Sequence, residues 1–230
     1  MNIAVVEFLG SNCDHDAEQW SLRLSAARSR MVWYTERDLS WADLVILPGG
    51  FSYGDYLRCG AMAARTPVME AVIAHARRGG LVLGICNGFQ ILCEVGILPG
   101  ALLKNQTLTF LCQDVYLRCE TSASPFTSGI SEGSLLRVPI AHGDGNYFAD
   151  PDTLRRLNGE GRVAFRYAAP DGSLKPEWNP NGSVEAIAGI LNEGRNVLGM
   201  MPHPERASEP LMGSSDGAAI LRSALRALGS

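Results

Sequence analysis

The sequence predicts an α/β fold in which a mostly parallel sheet is covered by helices on both faces. Short apolar-rich runs at residues 3–8, 43–47 and 81–83 read as strands buried on both faces. Helix-period segments separate them, as in alternating βαβ units. Glycine-rich turns, Pro48-Gly49-Gly50 and Gly84 to Gly88, follow two of these strands, at the sheet edge where such proteins build their sites. A chain of 230 residues without repeat or linker suits one domain over 1–230.

Residues 3–8 form the first strand, and the polar turn Leu9-Gly10-Ser11-Asn12 leads into a helix over 14–28. Asp14 and Asp16 complement the dipole in its first turn, and His15 reads as an exposed helix-start residue. Strands follow at 31–35 and 43–47. The second ends at the Pro48-Gly49-Gly50 turn, whose small residues let backbone N–H groups approach a ligand. A helix over 64–78, stopped by Gly79-Gly80, returns the chain to the strand at 81–83. His75 lies near the end of that helix, where an imidazolium suits the dipole. Beyond Gly100 the pattern changes to strands at 102–110, 114–119 and 135–140, a Gly-rich turn at 141–146, a short helix or turn at 152–157 and a strand at 162–167. Residues 169–182 carry three prolines and read as a surface loop. Strands at 186–191 and 197–201 flank the turn 192–194, and a helix over 214–227 closes the chain.

A net charge of −4 with no basic stripe argues against a nucleic-acid surface. No run of about 18 apolar residues could span a bilayer, and no secretory signal pattern opens the chain, so a soluble cytoplasmic protein is expected. The six cysteines, Cys13, Cys59, Cys86, Cys93, Cys112 and Cys119, form no C-x-x-C pair and are expected as thiols. Neither they nor the four histidines show zinc-ligand spacing, so no metal is expected.

The chemistry centres on Gly84-Ile85-Cys86-Asn87-Gly88. A nucleophile elbow between strand and helix must be sharp, and glycines two before and two after the nucleophile remove side chains that would clash with facing backbone. Cys86 then sits at a helix N-terminus, where N–H groups and the dipole favour the thiolate that attacks carbonyls. A thiolate needs a proton shuttle. The strand at 197–201 delivers Pro202-His203-Pro204-Glu205, and in an extended segment His203 and Glu205 project to the same side. Glu205 can then fix the imidazole while its other nitrogen faces the sulfur. His142, in another Gly-rich turn, is the alternative base. An oxyanion hole is expected from the N–H of Asn87, directly after the nucleophile, and from Gly50 and Phe51. Cys13 and Cys59 have no neighbouring base and read as structural thiols.

The segments GICNGFQ around Cys86, PGG at 48–50 and PHPE at 202–205 resemble the triad-type, or class I, glutamine amidotransferases. GSNCDHDAE at 10–18, LPGGFSYGDYLRCGAMA at 47–63, AHGDGNY at 141–147 and MPHPER at 201–206 carry the resemblance almost end to end, and narrow it to the glutaminase subunits of de novo purine biosynthesis. The resemblance implies a flavodoxin-like sheet. It implies attack of Cys86 on the side-chain amide of glutamine, with His203 as base and then acid, oriented by Glu205. Gln90, His142 and Gly143 correspond to contacts with the amino-acid end of glutamine. Ammonia is expected to pass to a large ATP-dependent synthetase subunit, joined by a small bridging subunit, for conversion of formylglycinamide ribonucleotide to formylglycinamidine ribonucleotide. ATP and magnesium are expected on that partner, because this chain has no G-x-x-x-x-G-K-[ST] phosphate loop. The loop 51–58, with Phe51, Tyr53 and Tyr56, is expected to face the partner. The alternatives are a subunit serving another synthetase, a partner-independent cysteine hydrolase of the same superfamily and a non-catalytic binding module. Residues 120–137 and 169–182 match no motif.

Overall fold

The computed structural model describes residues 1–24 and 28–229. Strand β1 (Asn2–Glu7) is almost wholly buried, and the turn after it feeds helix α1 (Asp14–Leu24), which buries Ala17 and Trp20. Residues 25–27, over which the helix was expected to continue, lie outside the described residues. Arg28 already belongs to β2 (Arg28–Trp33), so this strand starts and ends earlier than 31–35. β3 (Leu44–Leu47), α2 (Pro67–Arg77), β4 (Leu81–Ile85) and α3 (Asn87–Glu94) complete the first half. Helix α2 starts at Pro67 rather than residue 64, since proline fits the first helical position and holds Thr66 before it extended. His75 is buried with Nε2 3.3 Å from the Leu81 carbonyl oxygen, and burial lowers its pKa. It packs as a neutral ring instead of complementing the dipole as a cation.

The second half adds β5 (Ala101–Leu103), β6 (Leu111–Cys119), β7 (Leu135–His142), β8 (Asn146–Phe148), α4 (Pro151–Gly159) and β9 (Val163–Ala168), followed by β10 (Ile187–Leu191), β11 (Val197–Met200) and α5 (Ala218–Gly229). The strand expected at 102–110 is cut short because Asn105 turns the chain. Its Nδ2 donates to the carbonyls of Thr109 and His142 at 2.9 and 2.8 Å, and Leu108 takes φ 55. Helix α5 begins at Ala218 rather than 214, after a turn in which the Asp216 carboxylate accepts the Arg137 N–H at 2.8 Å.

Among the described residues, nine strands form one sheet in the order β2-β1-β3-β4-β11-β10-β9-β6-β7, with β5 and β8 paired apart. Every neighbouring pair from β2 to β11 is parallel, which bears out the expected parallel sheet for the strands that carry the candidate site. From β11 to β7 every pair is antiparallel, starting with the tight turn at 192–194. Right-handed crossovers explain the layers. The chain moves one way from β1 to β2 and the other way from β3 through β4 to β11, which puts α1 and α2 on opposite faces. Helix α5 packs beside α1, and α3 packs over β3, β4 and β11. The direction reverses between β1 and β3, the crevice where open α/β sheets bind ligands at the C-terminal strand ends. No helix among the described residues is long and apolar enough to cross a membrane.

Candidate active site

Between β4 and α3 a single residue reverses the chain. Cys86 takes φ 50 and ψ −105, a conformation that L-residues rarely adopt and that costs on the order of 1–3 kcal/mol. The flanking glycines make room for it. A Cβ at Gly84 would lie 2.5 Å from Leu92 and 2.8 Å from the Gly88 backbone, and one at Gly88 would collide with the Leu47 carbonyl. The Cys86 N–H donates to the Met200 carbonyl at 2.8 Å, which ties the turn to the end of β11. Its Sγ lies 3.8 Å from the Ala141 carbonyl oxygen on β7.

Strand β11 delivers the histidine. The His203 N–H donates to the Pro139 carbonyl at 2.8 Å, so the far end of the sheet curls back over the site. His203 Nδ1 lies 2.6 Å from Glu205 Oε1, with both side chains at most 2% exposed. The segment is not extended, as the sequence suggested. Pro204–Arg206 is a 3₁₀ turn, and it folds Glu205 back onto the ring. Burial alone would lower the His203 pKa, but the Glu205 carboxylate and the Cys86 sulfur hold it well above the ordinary imidazole value. The arrangement can pass a proton between sulfur and imidazole with the carboxylate fixing the ring.

The expected oxyanion donors need one correction. The Phe51 N–H already donates to the Gly10 carbonyl at 3.0 Å, because the turns after β1 and β3 pair through an antiparallel bridge between Ser11 and Gly50. Phe51 therefore anchors the turn, and Gly50 and Asn87 remain as candidates. The Asn87 N–H opens α3, where no intrahelical acceptor exists. The Asn87 side chain is structural: Oδ1 accepts the Ser52 N–H at 3.3 Å and Nδ2 donates to Gln90 Oε1 at 2.8 Å.

Gln90, His142 and Gly143 do converge beside Cys86, though not as free side chains. Gln90 Nε2 donates to the Asp144 carbonyl at 2.7 Å and so ties α3 to the 141–146 turn. His142 Nδ1 lies 3.0 Å from Asn105 Oδ1, and Nε2 lies 3.5 Å from Asn181 Nδ2. Burial, and then the charge of nearby His203, push the His142 pKa down to about 4, so it is a neutral ring held by two asparagines. Its two ring nitrogens are engaged by Asn105 and Asn181. Sequence reasoning missed both asparagines. Asn105 Oδ1 also accepts the Gly145 N–H at 3.0 Å, and Asn181 Nδ2 donates to the Gly145 carbonyl at 2.8 Å and to the Tyr167 hydroxyl at 3.1 Å. The sequence pattern puts Asn105 in a strand and Asn181 in a surface loop, yet both are fully buried.

Cys13 requires the other correction. The sequence shows no base beside it, yet a ligand-type atom of His203 lies within 4.8 Å of its Sγ, to which Arg206 Nη2 also donates at 3.2 Å. Its N–H also donates to the Gly49 carbonyl at 3.2 Å, which draws it to the site. Its place at the start of the helix after β1 parallels that of Cys86 after β4, a signal that topology could have supplied. Cys59 keeps its structural reading, since burial and the Asp55 and Asp144 carboxylates raise its pKa. In the loop 51–58, Tyr53 packs edge-on against Tyr34 at 6.0 Å, whereas Phe51, Tyr56 and Leu57 are exposed.

Residues 1–218 match the CobB/CobQ-like glutamine amidotransferase domain. Phosphoribosylformylglycinamidine synthase subunit PurQ of Koribacter versatilis is 55% identical over 229 residues, covering 99% of both chains. PurQ of Nitrobacter winogradskyi is 58% identical over 219 residues, 94% of each chain. Among solved structures, a chain of PurLQS from Thermotoga maritima superposes with a TM-score of 0.87 at 44% identity, covering 99% of this chain and 98% of that one.

Proposed function

The chain belongs to the CobB/CobQ-like glutamine amidotransferase family, and from that premise we propose that it is the glutaminase subunit of phosphoribosylformylglycinamidine synthase, with Cys86, His203 and Glu205 as its triad. It releases ammonia from glutamine for the conversion of formylglycinamide ribonucleotide to formylglycinamidine ribonucleotide in purine biosynthesis. The observation that carries the site assignment is the buried His203–Glu205 pair, at 2.6 Å, delivered by β11 beside the strained Cys86 turn at the end of β4.

The β4–α3 turn is a nucleophile elbow. Cys86 Sγ attacks the side-chain carbonyl carbon of glutamine while His203 holds the thiol proton, and the oxyanion is received by the N–H groups of Asn87 and Gly50. His203 returns the proton to the leaving nitrogen, ammonia departs, and a γ-glutamyl thioester remains on Cys86. Water, deprotonated by His203, attacks that thioester. Glutamate leaves and the thiol is restored. The backbone of 141–144, set by Gln90, His142, Asn105 and Asn181, receives the amino-acid end of glutamine, with Gly143 leaving space there. The whole of 1–230 works as one domain in the cytoplasm. ATP and magnesium act on the large synthetase subunit, and a small subunit bridges the two. Phe51, Tyr56 and Leu57 form part of the docking face.

Treatment with a glutamine-like chloroketone, followed by peptide mapping of the six cysteines, tests the assignment. Labelling confined to Cys86 and suppressed by excess glutamine is expected. Labelling of other cysteines, or no protection in the assembled complex, would remove the glutamine site from Cys86.

A further inference from the structure

The N-terminal ends of β4, β9 and β11 gather at the sheet edge opposite Cys86, roughly 16 Å away along β4 at about 3.3 Å per residue. A cleft of about 410 Å³ opens there between the ends of α2 and α3, helix α4 and the turn 192–194. Three arginines line it, Arg77, Arg156 and Arg162. Arg162, just before β9, has a side chain only 6% exposed. Its Nε is buried without a hydrogen bond, although Glu160 Oε2 lies 2.7 Å away, out of line with the N–H. Its two Nη groups have no acceptor among the described residues. Arg166, comparably buried, is satisfied throughout: Nε donates to Glu120, Nη1 to the Glu185 carbonyl and Nη2 to Asn158. A buried guanidinium with idle donors is the exception. Arg77 and Arg156 stand in the last turns of α2 and α4, where they complement the helix dipoles, but that role leaves most of their donors free. Arg77 has no hydrogen bond or ion pair among the described residues, and Arg156 makes one hydrogen bond, from Nη2 to Thr153 Oγ1 at 3.3 Å.

We propose that this cleft binds an organic phosphate monoester, with Arg162 as its buried anchor and Arg77 and Arg156 at its sides. The three guanidinium groups outweigh the two carboxylates beside them, Glu160 and Glu193, so the cleft favours an anion. A phosphate monoester carries nearly two charges at pH 7 and three acceptor oxygens, enough for several guanidinium forks, whereas one fork already fills a carboxylate. Ile73, Val95, Ile97 and Pro99 supply an apolar wall for the organic part of the ligand. The volume falls within the roughly 300–1,000 Å³ of small-molecule sites. The site owes nothing to the triad, which lies at the other end of β4.

Ribose 5-phosphate and adenosine 5′-monophosphate, a sugar phosphate and a nucleotide that share the phosphate, are the probes, each titrated into the full chain by calorimetry at low salt. At least one should bind at one equivalent with Kd below ~1 mM, and a tighter grip on the nucleotide would assign its ring to the apolar wall. Arg162→Gln should weaken binding at least ~10-fold, as the loss of a charge-assisted contact does. Arg77→Gln, at an exposed position, should weaken it as well, and Glu193→Gln should tighten it. In the wild-type chain the bound probe should slow phenylglyoxal modification of Arg77 and Arg156 by peptide mapping, while Arg23 on α1 reacts at its free rate, a readout that needs no variant to fold. Cys86→Ser should bind the probe as the wild type does. Failure of both probes to bind at ~1 mM, or an affinity indifferent to both Arg77→Gln and Arg162→Gln, would overturn the proposal.

Discussion

Gly49→Ala places a methyl group at the point where the site is tightest. The added Cβ would lie 2.6 Å from His203 Cε1, against a floor of about 3.4 Å for ordinary contacts, so the ring must retreat by roughly 0.8 Å. The ring has little freedom to do so, since Nδ1 is held 2.6 Å from Glu205 and the backbone N–H is held 2.8 Å from the Pro139 carbonyl oxygen. A misplacement near 1 Å in a catalytic group costs on the order of 100-fold in rate, about 2.7 kcal/mol of transition-state stabilisation. Overpacking of the surroundings adds roughly 1–3 kcal/mol to the loss of folding stability. Glutamate release in the assembled complex, with kcat and KM determined separately, should therefore show kcat falling ~100-fold and KM changing little. Gly159→Ala, in helix α4 with nothing within 4 Å of the new Cβ, serves as the control and should match the wild type. A folded Gly49→Ala protein with wild-type kcat would refute the placement of His203 as the proton shuttle.

The supporting residues yield three further predictions. Asn181→Ala removes the donor of the Tyr167 hydroxyl and leaves the Gly145 carbonyl with only the longer Ser183 hydroxyl contact at 3.3 Å, and should cost about 1–3 kcal/mol in urea unfolding while raising KM for glutamine more than it lowers kcat. His142 titrates near 6.5 when unfolded and at about 4 when folded, so its contribution to stability is intact above pH 6.5 and is lost as pH falls toward 4, by about 3 kcal/mol in all. His203, raised on folding, works the other way: its contribution is full below its unfolded pKa and is lost as pH rises through the folded value. Urea midpoints measured against pH should show the acid-side slope reduced in His142→Asn. Substituting Tyr56→Ser and Leu57→Asn together, at side chains that are 71% and 80% exposed, should weaken assembly with the synthetase subunit by sedimentation analysis while free glutaminase activity stays near wild type.

The sequence made the parallel half of the sheet readable because β3 and β4 are buried on both faces and therefore apolar throughout. The Cys86 turn was readable for a related reason: the sharp reversal leaves no room for side chains at Gly84 and Gly88, so its geometry is written as glycine. His203 and Glu205 were recognised as a pair, but through the wrong local geometry, since proline flanks suit a 3₁₀ turn as well as an extended segment. What escaped depends on contacts between distant segments. Whether Phe51 offers its N–H to a ligand is decided by Gly10, forty-one residues earlier in the chain. Asn105 and Asn181 read as turn formers because asparagine usually is one, and only the packing of β7 against both loops makes them buried clamps. Cys13 was invisible for the same reason, because α1 and Arg206 meet only in the folded chain.

The most direct test of the central claim is the pair of activities of the complex reconstituted with Cys86→Ser, using the large and small partner subunits, ATP and magnesium. Product formation is measured with glutamine and then with an ammonium salt as the nitrogen source. The account predicts that glutamine-dependent synthesis of formylglycinamidine ribonucleotide disappears while ammonium-dependent synthesis persists at the wild-type rate. Glutamine-dependent synthesis that survives Cys86→Ser would contradict it.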